Sequence, residues 1–173
     1  MKLSNIVLLP FFAIFLLLSS CGVLNLESST ESYDIEKEVV PSYKSDQTIK
    51  VMNYYDKPVI VFLVPERIKA DLKQYSETSM KYLELGLKHQ NVSVGVTGNK
   101  SVKLRVHNVK YNRAFWTIRA DVNITAELGN GKTFGVFHHN ASPASGFLAV
   151  DGALIRATEK ILKHPEFIKY MNK

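Results

Sequence analysis

Cys21 is the only cysteine in a chain of 173 residues, and it closes the run Leu18-Ser19-Ser20-Cys21-Gly22. A lone thiol cannot form a disulfide within its own chain, which leaves metal binding, nucleophilic attack or covalent modification. Its surroundings decide among these. Lys2 and the amino terminus are positive, Ile6 to Leu18 is almost unbroken hydrocarbon interrupted by Pro10, and two small serines precede the thiol. That order is the layout of a cleavable export segment. The apolar run is shorter than the ~20 residues a spanning helix needs. A thiol at the cleavage point is explained by modification and is not read as a catalytic nucleophile.

Leu-Ser-Ser-Cys resembles the lipobox of bacterial lipoproteins. The resemblance implies that the Cys21 thiol receives a diacylglyceryl group, that the bond before it is cut, and that its new amine is acylated. One acyl chain holds a protein only marginally, whereas two or more anchor it stably. The mature chain is therefore expected in the cell envelope, fixed to a membrane by Cys21. Gly22 follows the cysteine, where Asp would retain an enteric lipoprotein in the inner membrane. The expected location in a Gram-negative source is thus the outer membrane, facing the periplasm.

Other residues invite chemistry less strongly. His138, His139 and Asn140 are consecutive, but adjacent side chains on a strand point to opposite faces, so one cation cannot take both imidazoles without a bend. His89, His107 and His164 are scattered, without HExxH spacing. Ser142 and Ser145 lack a Gly-x-Ser-x-Gly context. Asp151 and Glu159, eight residues apart on a helix, read as solvated carboxylates. Gly95 to Lys100 lacks phosphate-loop spacing and reads as a turn. Four Asn-x-Ser/Thr matches, at Asn91, Asn99, Asn123 and Asn140, are chance occurrences behind a bacterial lipobox. No catalytic set, metal site or cofactor is expected.

Charge divides the mature chain. Residues 22–46 are Ser-rich and carry six Asp and Glu against two Lys, the composition of a solvated tether. From Gln47 onward there are 19 Lys and Arg against 10 Asp and Glu, a net charge of +9. Such a field favours anionic partners such as lipid headgroups, envelope polymers or acidic proteins. No basic motif interleaved with aromatics points to nucleic acid. The expected organisation is a signal peptide at 1–20, lipidated cysteine and tether at 21–46, and one domain at 47–173, a length that can bury a real core.

The elements that must position any site follow from periodicity. Ile49 and Val51 have strand spacing, and Tyr54 to Pro58 breaks the strand. Val59 to Val64 reads as a strand buried on both faces. Pro65 and Glu66 open a helix running to His89. From Trp116 to Leu128 apolar and polar residues alternate, as in a long half-buried strand with Trp116 at the start of its buried side. Asn130-Gly131 then marks a hairpin and Thr133 to His138 returns. Upstream, Val102, Leu104 and Val106 alternate before the apolar phase slips to Val109 and Tyr111, as a β-bulge near His107-Asn108 requires. A tight turn at Asn112-Arg113 sets Arg105 beside Arg119 and Lys103 beside Asp121. Lys103, Arg105 and Arg119 then form a basic cluster, the candidate binding site. After a loop over residues 141–146, Phe147 to His164 is the closing helix, with Phe147, Val150, Leu154 and Ile161 on its apolar face and Arg156, Glu159, Lys160 and Lys163 in water. The class is α+β: a mostly antiparallel sheet with a three-strand meander, a helix after the second strand and a closing helix.

The export signal, the lipidated cysteine, the acidic tether, this element order and the closing run Gly146-Phe147-Leu148-Ala149-Val150-Asp151-Gly152-Ala153-Leu154 together resemble small envelope lipoproteins of the YajG type. More remotely, they resemble the lipoproteins that activate peptidoglycan synthases and the lipoprotein of curli secretion. The likeness implies a non-enzymatic accessory or assembly factor working through protein interaction. The alternatives are a binding module for anionic lipid or glycan and, behind it, a hydrolase. Partner identity and oligomeric state are not encoded in any motif. Replacing the thiol tests the first link: Cys21→Ser is expected to abolish palmitate labelling and to accumulate the uncleaved precursor on gels, and normal acylation and processing would refute the anchor.

Overall fold

The computed structural model describes residues 24–25, 35–44, 46–63, 68–113, 115–143 and 145–173. Cys21 and the signal segment lie outside the described residues. The class is α+β, as the periodicity predicts. Strands β2 (Ile49–Asn53), β5 (Lys100–Arg113), β6 (Ile118–Leu128) and β7 (Thr133–Ser142) form a sheet in the order β2-β5-β6-β7. The β5–β6 and β6–β7 pairs are antiparallel, and β2 joins β5 in parallel. A second sheet, in the order β1-β4-β3, holds β1 (Leu24–Asn25), β3 (Ile60–Leu63) and β4 (Ile68–Asp71).

The alternation in β6 does what strand alternation should. Ala120, Val122, Ile124, Ala126 and Leu128 are buried, while Arg119, Asn123 and Glu127 are exposed. The expected bulge is present: the β5–β6 register shifts between Val106 and Asn108. The Asn-Gly hairpin is also present. Gly131 takes a φ of +84°, a left-handed conformation that glycine adopts without Cβ strain, and its N–H donates to the Leu128 carbonyl at 2.8 Å.

Helices α1 (Leu72–His89) and α2 (Gly146–Leu162) pack on the apolar side of the sheet and against each other, and the short α3 (Pro165–Met171) closes the chain. Small residues let α2 approach closely: a Cβ on Gly152 would lie 2.2 Å from Asn140 Nδ2, which instead donates to the Ala149 carbonyl at 3.1 Å. Ser145 caps α2 by accepting from Leu148 N–H, and Pro165 occupies the first turn of α3.

Several sequence expectations are corrected. Residues Ile68–Asp71 are a strand, and the helix begins at Leu72, because Ile68 and Ala70 are buried with period two and Asp71 caps the helix through Lys73 N–H. Pro65 and Glu66 lie outside the described residues. β3 is not buried on both faces: Ile60 and Phe62 are 51% and 62% exposed, since β3 edges the small sheet. The acidic segment is not wholly a tether, so the domain boundary at Gln47 moves toward the amino terminus. Ile35, Val40 and Tyr43 are buried in the core, and the Tyr43 hydroxyl donates to the Leu162 carbonyl at 2.7 Å. The β5–β6 turn is not at Asn112-Arg113. Pairing continues to Arg113–Ile118, so Leu104 faces Ala126 and Arg105 faces Thr125. Trp116 therefore sits beyond the pairing and is 79% exposed. In α2, Phe147 is 39% exposed, whereas Glu159 is buried instead of facing water.

These burial assignments separate two substitutions. Leu104→Ala, at a fully buried position, is expected to destabilise by about 2–5 kcal/mol, and Trp116→Ala by no more than about 0.5 kcal/mol. Denaturant unfolding of the two variants checks the phase of the sheet.

Candidate binding face

With both long helices on one side of the main sheet, its other side carries the polar residues of β5 and β6. Lys103 lies opposite Glu127, Arg105 opposite Thr125, and Arg119 opposite Asn112. Arg105 and Arg119 share the face but are six residues apart in register, roughly 20 Å at strand rise. The basic cluster expected from the sequence therefore divides. Lys103 and Arg105 stay together, and Arg119 belongs to the far end of the hairpin.

Tyr54 and Tyr55, read from sequence only as a strand break, complete the Lys103–Arg105 group. Just past β2, Tyr54 N–H donates to the Leu104 carbonyl at 2.9 Å, and Asn53 Oδ1 accepts from Tyr55 N–H at 2.9 Å. The Tyr55 hydroxyl donates to the Val106 carbonyl at 2.9 Å and accepts from Arg105 Nε at 3.3 Å. The Arg105 guanidinium lies 4.4 Å from the Tyr54 ring centroid and 5.6 Å from that of Tyr55, with the Lys103 ammonium 5.9 Å from Tyr54. Cation–π attraction and the Tyr55 hydrogen bond hold the charge in place. The same hydrogen bond raises the Arg105 pKa above its ordinary value. A guanidinium fixed in this way can receive a carboxylate, phosphate or sulfate with little further ordering.

The other sequence candidates do not converge. His138 and His139 lie on opposite faces of β7. His139 Nδ1 pairs with Asp121 Oδ1 at 2.5 Å on the outer face, while the Nδ1 of His138 is buried on the helix side without a hydrogen-bond partner. Among the described residues no three His, Cys, Asp or Glu side chains gather as metal ligands. Ser142 is buried at the end of β7 and Ser145 serves as a helix cap. Asp151 is buried, not solvated, and with burial it helps to push the Tyr75 phenol upward. Glu159 accepts from Arg156 through both oxygens at 2.9 Å. This pair borders a hollow of about 230 Å³ that is also lined by Glu36, Asn140 and Gly152. No helix among the described residues is long and apolar enough to cross a membrane.

No known protein-family profile matches the sequence, and no curated protein does. Among solved structures, the chain is similar to a Xanthomonas campestris protein assigned to the family DUF330, with 10% identity, a TM-score of 0.43, and coverage of 87% of this chain and 92% of that one. It is also similar to a minor lipoprotein from Acinetobacter baumannii, with 13% identity, a TM-score of 0.37, and coverage of 71% and 94%. Likenesses this distant do not carry an activity or a partner across to the present chain.

Two histidines give the domain a pH response. Burial lowers the His138 pKa, helped by Lys160 and Arg156, and burial and Arg105 lower that of His107, each from 6.5. As pH falls through 6.5 the unfolded chain takes up these protons before the folded one does, so stability declines. Above that pH the two states bind equally few protons there and no penalty remains. His138→Gln is expected to flatten part of the loss below pH 6.5 in thermal unfolding series, and an unchanged slope would remove His138 as a source.

Proposed function

We propose that this chain is a lipid-anchored envelope protein whose domain acts without catalysis by binding another envelope component. The observation that carries the binding half is Arg105, fixed by Tyr54 and Tyr55 beside Lys103 on the side of the sheet that the helices leave open. The anchoring half rests on the order Lys2, apolar run, Ser19-Ser20, Cys21. Gly22 after the anchor supports an outer-membrane position facing the periplasm in a Gram-negative cell. The YajG-like element order supports an accessory or assembly role, with an envelope protein bearing an acidic surface as partner.

A second reading has its own support. The net charge of +9 from Gln47 onward suits an anionic lipid or glycan, and such binding weakens steeply as salt screens exposed charge. One experiment addresses both readings. Lys103→Ser with Arg105→Ser in the full-length protein is expected to fold normally and to lower crosslinked partner recovery from envelopes by about tenfold, the loss of a charge-assisted contact. Arg119→Ser should leave recovery intact. Full recovery with the double variant would refute this face as the binding site. Mass spectrometry of the crosslinked species separates protein from polymer.

A further inference from the structure

The β5–β6 hairpin ends in an exposed aromatic pair. Phe115 and Trp116 are 88% and 79% exposed and pack edge to face on one another, with ring centroids 4.7 Å apart. The hairpin beneath them is paired up to Arg113–Ile118, so the rings are held out on a stiff support. Arg113 and Arg119 are exposed next to them in the hairpin, and Lys110 is exposed three residues down β5, opposite Asp121. Apolar rings of this size, rimmed by cations, mark a contact surface. Trp in particular favours the boundary between water and lipid, where its ring is buried and its N–H stays wet.

The topology brings the chain into its first described strand from the same end. β4 runs from Ile68 to Asp71. Its Asp71 end leads into α1, where Ser76 bonds Val106 N–H in mid-β5. Its Ile68 end pairs with Leu63, which shares a hollow with Asn108 to Asn112, the stretch of β5 between the bulge and the hairpin tip. β1 is parallel to β4 and starts with Leu24 beside Ile68. The chain thus enters β1 from the tip side. Cys21 is three residues before Leu24, a reach of at most about 11 Å.

We propose that Phe115 and Trp116 insert into the same bilayer leaflet that holds the Cys21 acyl chains, with Arg113, Arg119 and Lys110 against its anionic headgroups. The tip is a second membrane contact that fixes how the domain stands on the surface. This rests on Cys21 being the anchor, and the test keeps the two apart.

Trp116 is the only tryptophan, so tryptophan emission, excited beyond the absorption of the eight tyrosines, reports the tip alone. The acylated protein is reconstituted into phosphatidylethanolamine–phosphatidylglycerol vesicles, with and without acyl chains brominated near the headgroup, and floated on a density gradient. The expected result is flotation, emission at shorter wavelength, loss of most emission in brominated vesicles and protection from iodide. Arg113→Ser with Phe115→Ser should float equally well and regain iodide quenching. Flotation with Trp116 open to iodide and indifferent to bromine would overturn the insertion while leaving the anchor standing. Shielding of Trp116 in native envelopes but not in pure lipid would overturn it in favour of a protein on the tip. Acylated protein that fails to float would overturn the anchor and the insertion together.

Discussion

The bulge between Val106 and Asn108 is where the sheet, the first helix and the candidate binding face meet. Side chains on a strand alternate, so a shift of one residue turns an entire apolar set outward. β5 is long enough that its two halves are out of phase: Val102, Leu104 and Val106 in one, Val109 in the other. One extra residue returns both halves to the core, and all four are buried. β2 ends at Asn53 opposite Leu104, so the backbone groups of Val106, which point to the same edge two residues on, need other partners. Ser76 on α1 accepts from the Val106 N–H at 3.0 Å and donates its hydroxyl hydrogen bond to the Leu72 carbonyl. Tyr55 donates to the Val106 carbonyl. The open edge of β5 beside the bulge is thereby stitched to a helix and to the Tyr54–Tyr55 turn. Arg105, the neighbouring residue, finds its tyrosine already fixed.

Polar groups inside the helix layer are tied down in similar ways. Ser76 and Thr158 donate to carbonyls one helical turn back, Leu72 and Leu154. Glu159, although buried, accepts from Arg156 Nη1 through both carboxylate oxygens. Unpaired, such a carboxylate would carry the full desolvation cost of its charge. The segment around Tyr43 completes the layer by bonding the Leu162 carbonyl near the end of α2, a carbonyl that no further helical turn could satisfy.

How far the sequence could be read follows from which signals are local. The alternation of β6 from Ala120 on, the phase slip of β5, the Asn-Gly turn and the Val150, Leu154 and Ile161 face of α2 are encoded within a few residues of one another, and each is present in the structure. Register is not local. It depends on where the β5–β6 turn closes, and Asn112-Arg113 is as polar as many tight turns. The adjacent pair Phe115-Trp116 was the available warning, because two large apolar residues in succession cannot both lie on one buried face. β4 escaped notice because four residues, Ile68 to Asp71, fit a helix start as well as a strand. Ile35, Val40 and Tyr43 were hidden in an acidic stretch whose average composition describes a tether. The candidate site was half legible. Lys103 and Arg105 were singled out by their charge and face, but the tyrosines that hold Arg105 come from a turn about 50 residues away in sequence.

The long hairpin gives these parts an order in space. Its tip carries the aromatic pair, and β1 is entered at Leu24 from the same end. The Lys103–Arg105 group lies six register positions from Arg119, roughly 20 Å down the sheet from that end. If the tip lies in the bilayer, Arg105 stands two to three Debye lengths above the surface at physiological salt, about 8 Å each. At that height the charge of the headgroups is largely screened from Arg105. An aqueous envelope component meets the guanidinium first, whereas Arg113 and Arg119 are within range of lipid. The two groups of cations, expected as one site from sequence, then serve different neighbours: those at the tip the membrane, and those beside Tyr54 and Tyr55 a partner in the space above it.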